Sequence, residues 1–225
     1  DWVSADAVFA SWANNSFSFP ESRCDTDVGF RSAQLGAIYA IKSHWTVSST
    51  AATIVMPTGT GKTEVMIATV VSERCAKTCI VVPSDLLRKQ TITRFCTLGK
   101  LREIGAINDT FENPVVGCLV SSPKDITELH ELLDKSNLIL TTMSLLNSGY
   151  FKDEFIRLLA STCDTLVIDE AHHAVAPMYQ ELLEKAEELS GGRSFPICGL
   201  TATRLGRGEI NCPYIISRRS RRYPA

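Results

Sequence analysis

Short apolar runs, rich in β-branched residues, recur along the chain: Ala52 to Met56, Cys79 to Val82, Val115 to Val120, Leu138 to Leu140, Thr165 to Ile168 and Phe195 to Leu200. Their apolar positions are continuous rather than alternating, the pattern of parallel strands covered on both faces by helices. Helical patterns fill the gaps. Ser122 is placed as an N-cap with Pro123 at the first helical position, and Ile126, Leu129, Leu132 and Leu133 then share one face. A second stripe runs from about Met178 to Ser190 through Leu182, Leu183, Ala186 and Leu189, with Glu181 four residues before Lys185 and Gly191-Gly192 as its stop. Residues 1–29 are rich in Ser, Asn and Asp without steady periodicity, and are expected to be an irregular lead-in. The alternation of strand and helix predicts a three-layer α/β/α domain with a mainly parallel sheet. Ligands of such sheets bind at the carboxyl ends of the strands.

Composition narrows this only a little. The chain has 225 residues, 44% of them hydrophobic and 21% charged, which is enough for one sizeable core. With 23 basic against 25 acidic residues there is no general polyanion-binding surface, so a nucleic-acid contact has to come from a local patch. The cluster Arg218-Arg219-Ser220-Arg221-Arg222 is either such a patch or a solvated chain end. Eight cysteines are scattered, several inside apolar runs, and read as small core residues of a reducing compartment. Cys75 and Cys79 lack a second pair or histidine cluster that would complete a zinc site. The start, Asp1-Trp2-Val3, carries no secretory signal, and no apolar run reaches membrane-spanning length. The expectation is an intracellular protein, cytoplasmic or nuclear, without a membrane partner.

The chemistry follows the apolar runs. After the first come Met56, Pro57, Thr58, Gly59, Thr60, Gly61, Lys62 and Thr63, and then a helical stretch. This is the strand, loop, helix arrangement of a phosphate site: Gly59 and Gly61 bring backbone N–H groups close to negative charge, Lys62 reaches the β- and γ-phosphates, and Thr63 offers a hydroxyl to Mg²⁺. Met56 stands where the strict P-loop pattern has its first glycine. The alternative for this segment is a glycine-rich surface turn. After the fifth run stand Asp169, Glu170, Ala171, His172 and His173. Asp169 suits Mg²⁺ through its water shell, and Glu170 suits the orientation and deprotonation of the water that attacks the γ-phosphate. Alone, the two acids could equally cap the next helix.

Taken in order, the P-loop, the Asp-Glu-Ala-His box and Gly199-Leu200-Thr201-Ala202-Thr203 resemble superfamily 2 helicases over roughly residues 30–205, with the doubled His172-His173 most similar to restriction-enzyme motor subunits. The resemblance implies a RecA-like P-loop NTPase domain that uses ATP and Mg²⁺ and engages nucleic acid, DNA in preference to RNA. It places Arg31 and Gln34, in Arg31-Ser32-Ala33-Gln34, as the adenine-recognition element. It assigns Pro83, Ser84 and Arg88, in the segment Val82 to Gln90, and Thr141 with Thr142 to contacts with the nucleic-acid backbone. It also makes Thr201 and Thr203 the hydroxyls that couple hydrolysis to movement, joined across the site by His172. Arg88 and Lys89 read alternatively as exposed helix residues, and Thr201 to Thr203 as a strand-end cap. Arg204 follows where the family pattern continues with proline.

The expected organisation is a lead-in over 1–29, the ATP-binding domain over 30–205 and a basic tail over 206–225. A complete motor of this kind has a second RecA-like domain with an arginine finger worth roughly 10³ to 10⁵ in turnover, for which this chain has no room. Weak hydrolysis is therefore expected of the chain alone. The competing reading is a nucleic-acid or protein binding module that holds ATP without turning it over.

Overall fold

The computed structural model describes residues 3–23, 28–48, 50–123, 125–146, 152–171, 184–185, 188 and 195–202. They form one six-stranded sheet with strand order β1-β6-β5-β2-β4-β3, every neighbouring pair parallel. The strands are β1 Ala52–Val55, β2 Thr78–Val82, β3 Val116–Cys118, β4 Leu138–Thr142, β5 Thr165–Asp169 and β6 Ile197–Thr201. Each of the six apolar runs contributes one. All but the edge strand β3 and the last residue of β5 are buried along their length, which is why their sequences do not alternate.

Two apolar layers flank the sheet. Helices α1 Ala5–Asn14, α2 Ser32–Val47, α3 Lys62–Ser72 and α4 Asp85–Cys96 pack on one face through Trp12, Ile38, Ile67 and Phe95 against Ile54, Ile80 and Leu140. Helices α5 Ile126–Lys135, α6 Met143–Leu146 and α7 Lys152–Thr162 cover the other face through Leu129, Leu146 and Phe155 against Val81, Ile139 and Ile168. Residues one apart on a strand thus belong to different layers, as Ile80 and Val81 do, because successive side chains point to opposite faces. The fold is the three-layer α/β/α architecture expected.

Two expectations need correction. Residues 1–29 are not wholly irregular: α1 is capped by the Ser4 hydroxyl, which accepts from the Ala7 N–H at 3.2 Å. It buries Val8 and Trp12, one helical turn apart. The Trp12 indole donates to the Glu112 carbonyl at 2.9 Å, and the Asn137 amide donates to the Ala5 carbonyl at 2.8 Å, tying α1 to the body of the domain. Its buried stripe of Ala5, Val8 and Trp12 is blurred by Ala7, Phe9, Ala10 and Ala13 on the less buried faces, so no periodicity stands out. The second correction concerns α5, which starts three residues later than Ser122 implies. Its cap is Asp125, whose carboxylate accepts from the Glu128 N–H at 2.9 Å. A carboxylate caps at least as well as a serine hydroxyl, so Pro123 ends up ahead of the helix. The stripe from Met178 to Ser190 lies almost wholly outside the described residues.

The described cysteines, Cys75, Cys79, Cys96, Cys118, Cys163 and Cys198, are free thiols. Burial pushes the Cys75 thiol up to about 12 and holds Cys79 well above the usual thiol range, so both are protonated core groups. They also sit in different apolar layers. No helix among the described residues is long and apolar enough to cross a membrane.

Candidate functional site

The carboxyl ends of β1, β6 and β5 lie side by side: the phosphate loop follows β1, Thr201 ends β6, and Asp169 ends β5 with Glu170 next to it. A cleft of about 870 Å³ opens there, lined by Gly59 and Gly61 from the loop, Lys62 and Thr63 from the start of α3, Asp169 and Glu170 from β5 and its end, and Arg31 and Gln34 from the start of α2.

The loop folds as its glycines require. Gly59 has φ +79° and Gly61 φ +87°, the left-handed region that costs other residues 1–2 kcal/mol or so. Gly61 is also the residue before α3, and a Cβ there would lie 2.2 Å from the Gln34 Nε2. Its conformation disfavours any side chain, and a Cβ there would have to push the Gln34 amide aside. The Thr60 hydroxyl is spent inside the loop, donating to the Pro57 carbonyl at 2.6 Å, whereas Pro57, Thr58 and Gly59 are open to solvent. Met56 is the buried continuation of β1: its N–H donates to the Thr201 carbonyl at 2.8 Å. A residue in that setting needs no glycine, which accounts for the departure from the strict pattern.

Lys62 and Glu170 meet across the cleft, Nζ to Oε1 at 2.9 Å. Glu170 has φ +53°, a conformation that a non-glycine residue adopts at a cost of order 1 kcal/mol or more. Its N–H donates to the Asp169 Oδ1 at 3.0 Å, and its Oε2 accepts from the Ala202 N–H at 3.4 Å, beside the end of β6. The turn thus aims the carboxylate back over the sheet edge toward the phosphate loop. A helix-capping role for this pair does not need such a conformation.

Arg31 and Gln34 serve the loop as well as the cleft. The Arg31 guanidinium donates to the Gly59 carbonyl at 3.1 Å, and the Gln34 Nε2 is 3.5 Å from the Gly61 carbonyl. The Gln34 Oε1 accepts from the Arg31 N–H at 2.9 Å, closing the first turn of α2. Gln34 is buried, not a solvated helix residue.

The residues expected to face nucleic acid are placed differently from one another. Ser84 is exposed, caps α4 and accepts from the Leu87 N–H at 3.4 Å; Pro83 is half-buried beside it. Arg88 is neither an exposed helix residue nor directed at solvent. It is buried, its Nη1 donating to the Leu119 carbonyl at 2.8 Å and lying 3.1 Å from the Asp85 carboxylate. Thr141 and Thr142 are buried too. The Thr142 hydroxyl lies 3.0 Å from that of Ser144 and accepts from the Leu145 N–H at 3.4 Å, capping the short α6. Thr201 is buried between β1 and β5. His172 and Thr203 lie outside the described residues. Sequence reading missed Glu64, Arg94 and Arg23, all of which line the cleft. Arg94 comes from α4, and its approach to α3 is a contact between helices that no local pattern encodes.

The family model described as type III restriction enzyme, res subunit, matches residues 27–204. The chain belongs to this family. Its fold is similar to that in the crystal structure of a hypothetical ATP-dependent RNA helicase from Sulfolobus tokodaii, at 17% identity and TM-score 0.52, covering 78% of this chain and 46% of that one. The Pyrococcus furiosus Hef helicase domain matches at 22% identity and TM-score 0.48, covering 77% of this chain and 34% of that one. The chain therefore spans less than half the length of either solved relative. Curated protein sequences include no match. Family and fold together make this a helicase-type RecA-like domain.

Proposed function

We propose that this chain is the ATP-binding domain of a nucleic-acid motor that hydrolyses ATP with Mg²⁺ once a second RecA-like domain completes the site. The observation that carries the reading is the approach of Lys62 to Glu170 over a cleft floored by left-handed glycines. It joins a phosphate-binding loop to an acid able to take a proton, which is the minimum equipment for phosphoanhydride hydrolysis.

The residues divide the work by chemistry. Backbone N–H groups of the loop and the α3 N-terminus receive the phosphates, with Lys62 on the β- and γ-oxygens. Thr63 and Asp169 suit Mg²⁺: one hydroxyl and one carboxylate, the remaining positions being left to phosphate and water as this ion prefers. Glu170, released from Lys62 when the lysine turns to phosphate, takes the proton of the attacking water. The new O–P bond forms on the γ-phosphorus as the bond to the bridging oxygen breaks, leaving ADP and inorganic phosphate. Arg31 and Gln34 hold the loop from the base side, so that adenine contacts at the Gln34 amide would bear directly on the carbonyls of Gly59 and Gly61.

For nucleic acid, the exposed Ser84 hydroxyl and the N-terminus of α4 are the groups that fit a backbone phosphate. Arg88, Thr141 and Thr142 act behind them as support. DNA is favoured over RNA by the restriction-enzyme family.

The test is Mg²⁺-dependent ATP binding by this chain and by Lys62→Ala, alone and with single-stranded DNA, single-stranded RNA or duplex DNA. Binding by the parent, its loss in the variant and tightening by one nucleic acid support the reading and name the substrate. Failure of the parent to bind ATP overturns it.

A further inference from the structure

Glu64 directly follows Thr63 in the first turn of α3 and is buried. A carboxylate in a first helical turn is favoured by the helix dipole. Here, however, the same helix start is the phosphate-receiving end, so a negative side chain competes with an incoming polyanion. The carboxylate packs against the loop: its Oε2 is 3.6 Å from where a Cβ on Gly61 would stand. From the other side it is covered by the turn that ends α4. A Cβ on Gly99, where φ is +57°, would lie 2.9 Å from the Ile67 Cδ1 and 3.5 Å from the Glu64 Oε1, so only a glycine lets the chain come this close.

Among the described residues, Arg94 answers this charge. Arg94, in the last turn of α4, places its Nη1 2.5 Å from the Glu64 Oε1. Its side chain is 50% exposed while that of Glu64 is 10% exposed, and both residues line the cleft that holds Lys62, Thr63 and Asp169. A surface ion pair of this kind contributes little to stability. A carboxylate sealed against a phosphate loop is a different matter, because its uncompensated charge acts through a poorly solvated path.

We propose that Arg94 is a positioning residue of the nucleotide site: by pairing with Glu64 it cancels the negative charge at the start of α3 and leaves Lys62 to set the field that a nucleoside triphosphate meets. The inference rests on the reading of the cleft as an ATP site. It predicts a dependence that no residue of the phosphate loop would show, namely that loss of the arginine is repaired by loss of the glutamate.

The experiment measures Mg·ATP affinity and melting temperature for the full chain, Arg94→Met, Arg94→Lys, Glu64→Gln and the double variant Glu64→Gln/Arg94→Met. Arg94→Met is expected to weaken ATP about tenfold, with a smaller loss for ADP and a smaller one at high salt. Arg94→Lys keeps the charge and stays within about threefold of the parent, and Glu64→Gln binds as well or better. The double variant returns to within about twofold of the parent, a rescue that neither a packing role nor direct contact of Arg94 with the nucleotide would produce. Unchanged affinity in Arg94→Met, a double variant as weak as Arg94→Met, or a tenfold loss in Arg94→Lys would each overturn the proposal while leaving the ATP reading intact. If the parent itself binds no ATP, the ATP reading falls, and this inference with it.

Discussion

The two halves of the sheet end in different kinds of surface. Beyond β1, β6 and β5 the chain turns through left-handed residues, Gly59, Gly61 and Glu170, and leaves Lys62, Asp169 and Glu170 around an open cleft. Beyond β2 and β4 it turns without positive φ among the described residues, and several polar groups are turned inward: Arg88 Nη1 on the Leu119 carbonyl, Thr142 on α6, Ser84 on α4. One half gathers charge around a cleft at left-handed turns. In the other most of the polar groups named are turned inward, though Arg88 Nε and the Thr141 hydroxyl are buried without a hydrogen-bond partner, and what it can offer a strand is mainly a helix end and an exposed hydroxyl. That contrast suits a protein that must bind one small polyanion tightly and one long polyanion without regard to sequence.

The comparison can be broken most decisively at Lys62. Lys62→Ala should weaken Mg·ATP binding roughly 100-fold, since charge-assisted hydrogen bonds contribute about 1.5–3 kcal/mol each. Its effect on thermal stability should be slight, because Glu170 can turn to water. A calorimetric titration beside a melting curve separates the two, and a large fall in melting temperature with little change in affinity would recast the pair as structural.

Gly61→Ala is next. A left-handed φ and a Cβ 2.2 Å from the Gln34 amide should cost about 2 kcal/mol in denaturant unfolding, and should also displace Gln34. Gly59→Ala has open space around it, so only the conformational part of that cost is expected. Equal costs at the two positions would show that the Gln34 contact carries no weight.

The inward-turned half should respond in stability rather than affinity. Arg88→Met keeps the apolar stem but strips the Leu119 carbonyl of its donor, for an expected loss of about 1–2 kcal/mol. Asp85→Asn should cost less than about 0.5 kcal/mol, because that carboxylate is 70% exposed. Were Arg88→Met instead to leave stability alone and reduce nucleic-acid binding, Arg88 would be a strand contact after all. Ser84→Ala should cost about 1 kcal/mol from the lost cap of α4, between Arg88→Met and Asp85→Asn, together with a modest fall in nucleic-acid affinity that shrinks as salt rises.

Much of this was visible in the chain itself, for identifiable reasons. Buried parallel strands are continuous apolar runs, so all six were legible, and a phosphate loop is a local structure whose glycines and lysine must lie close in sequence. Caps were less legible: Ser122 and Asp125 compete for one helix start, and only the reach of the Asp125 carboxylate to Glu128 decides it. Helix α1 was missed because Ala7, Phe9, Ala10 and Ala13 spread apolar residues around it and blur the stripe of Ala5, Val8 and Trp12, and its hydrogen-bond partners are Glu112 and Asn137, far along the chain.

By itself, then, the sequence determined the α/β alternation, the phosphate loop and the place of the acidic pair at a strand end, because each depends on neighbours within a few residues. Only the tertiary structure decided that β6 lies between β1 and β5, that Lys62 reaches Glu170, that Arg88 turns inward and that Arg94 closes on Glu64. Those are outcomes of strand order and helix packing, in which burial and pairing energy accrue between segments whose separation along the chain leaves no local trace.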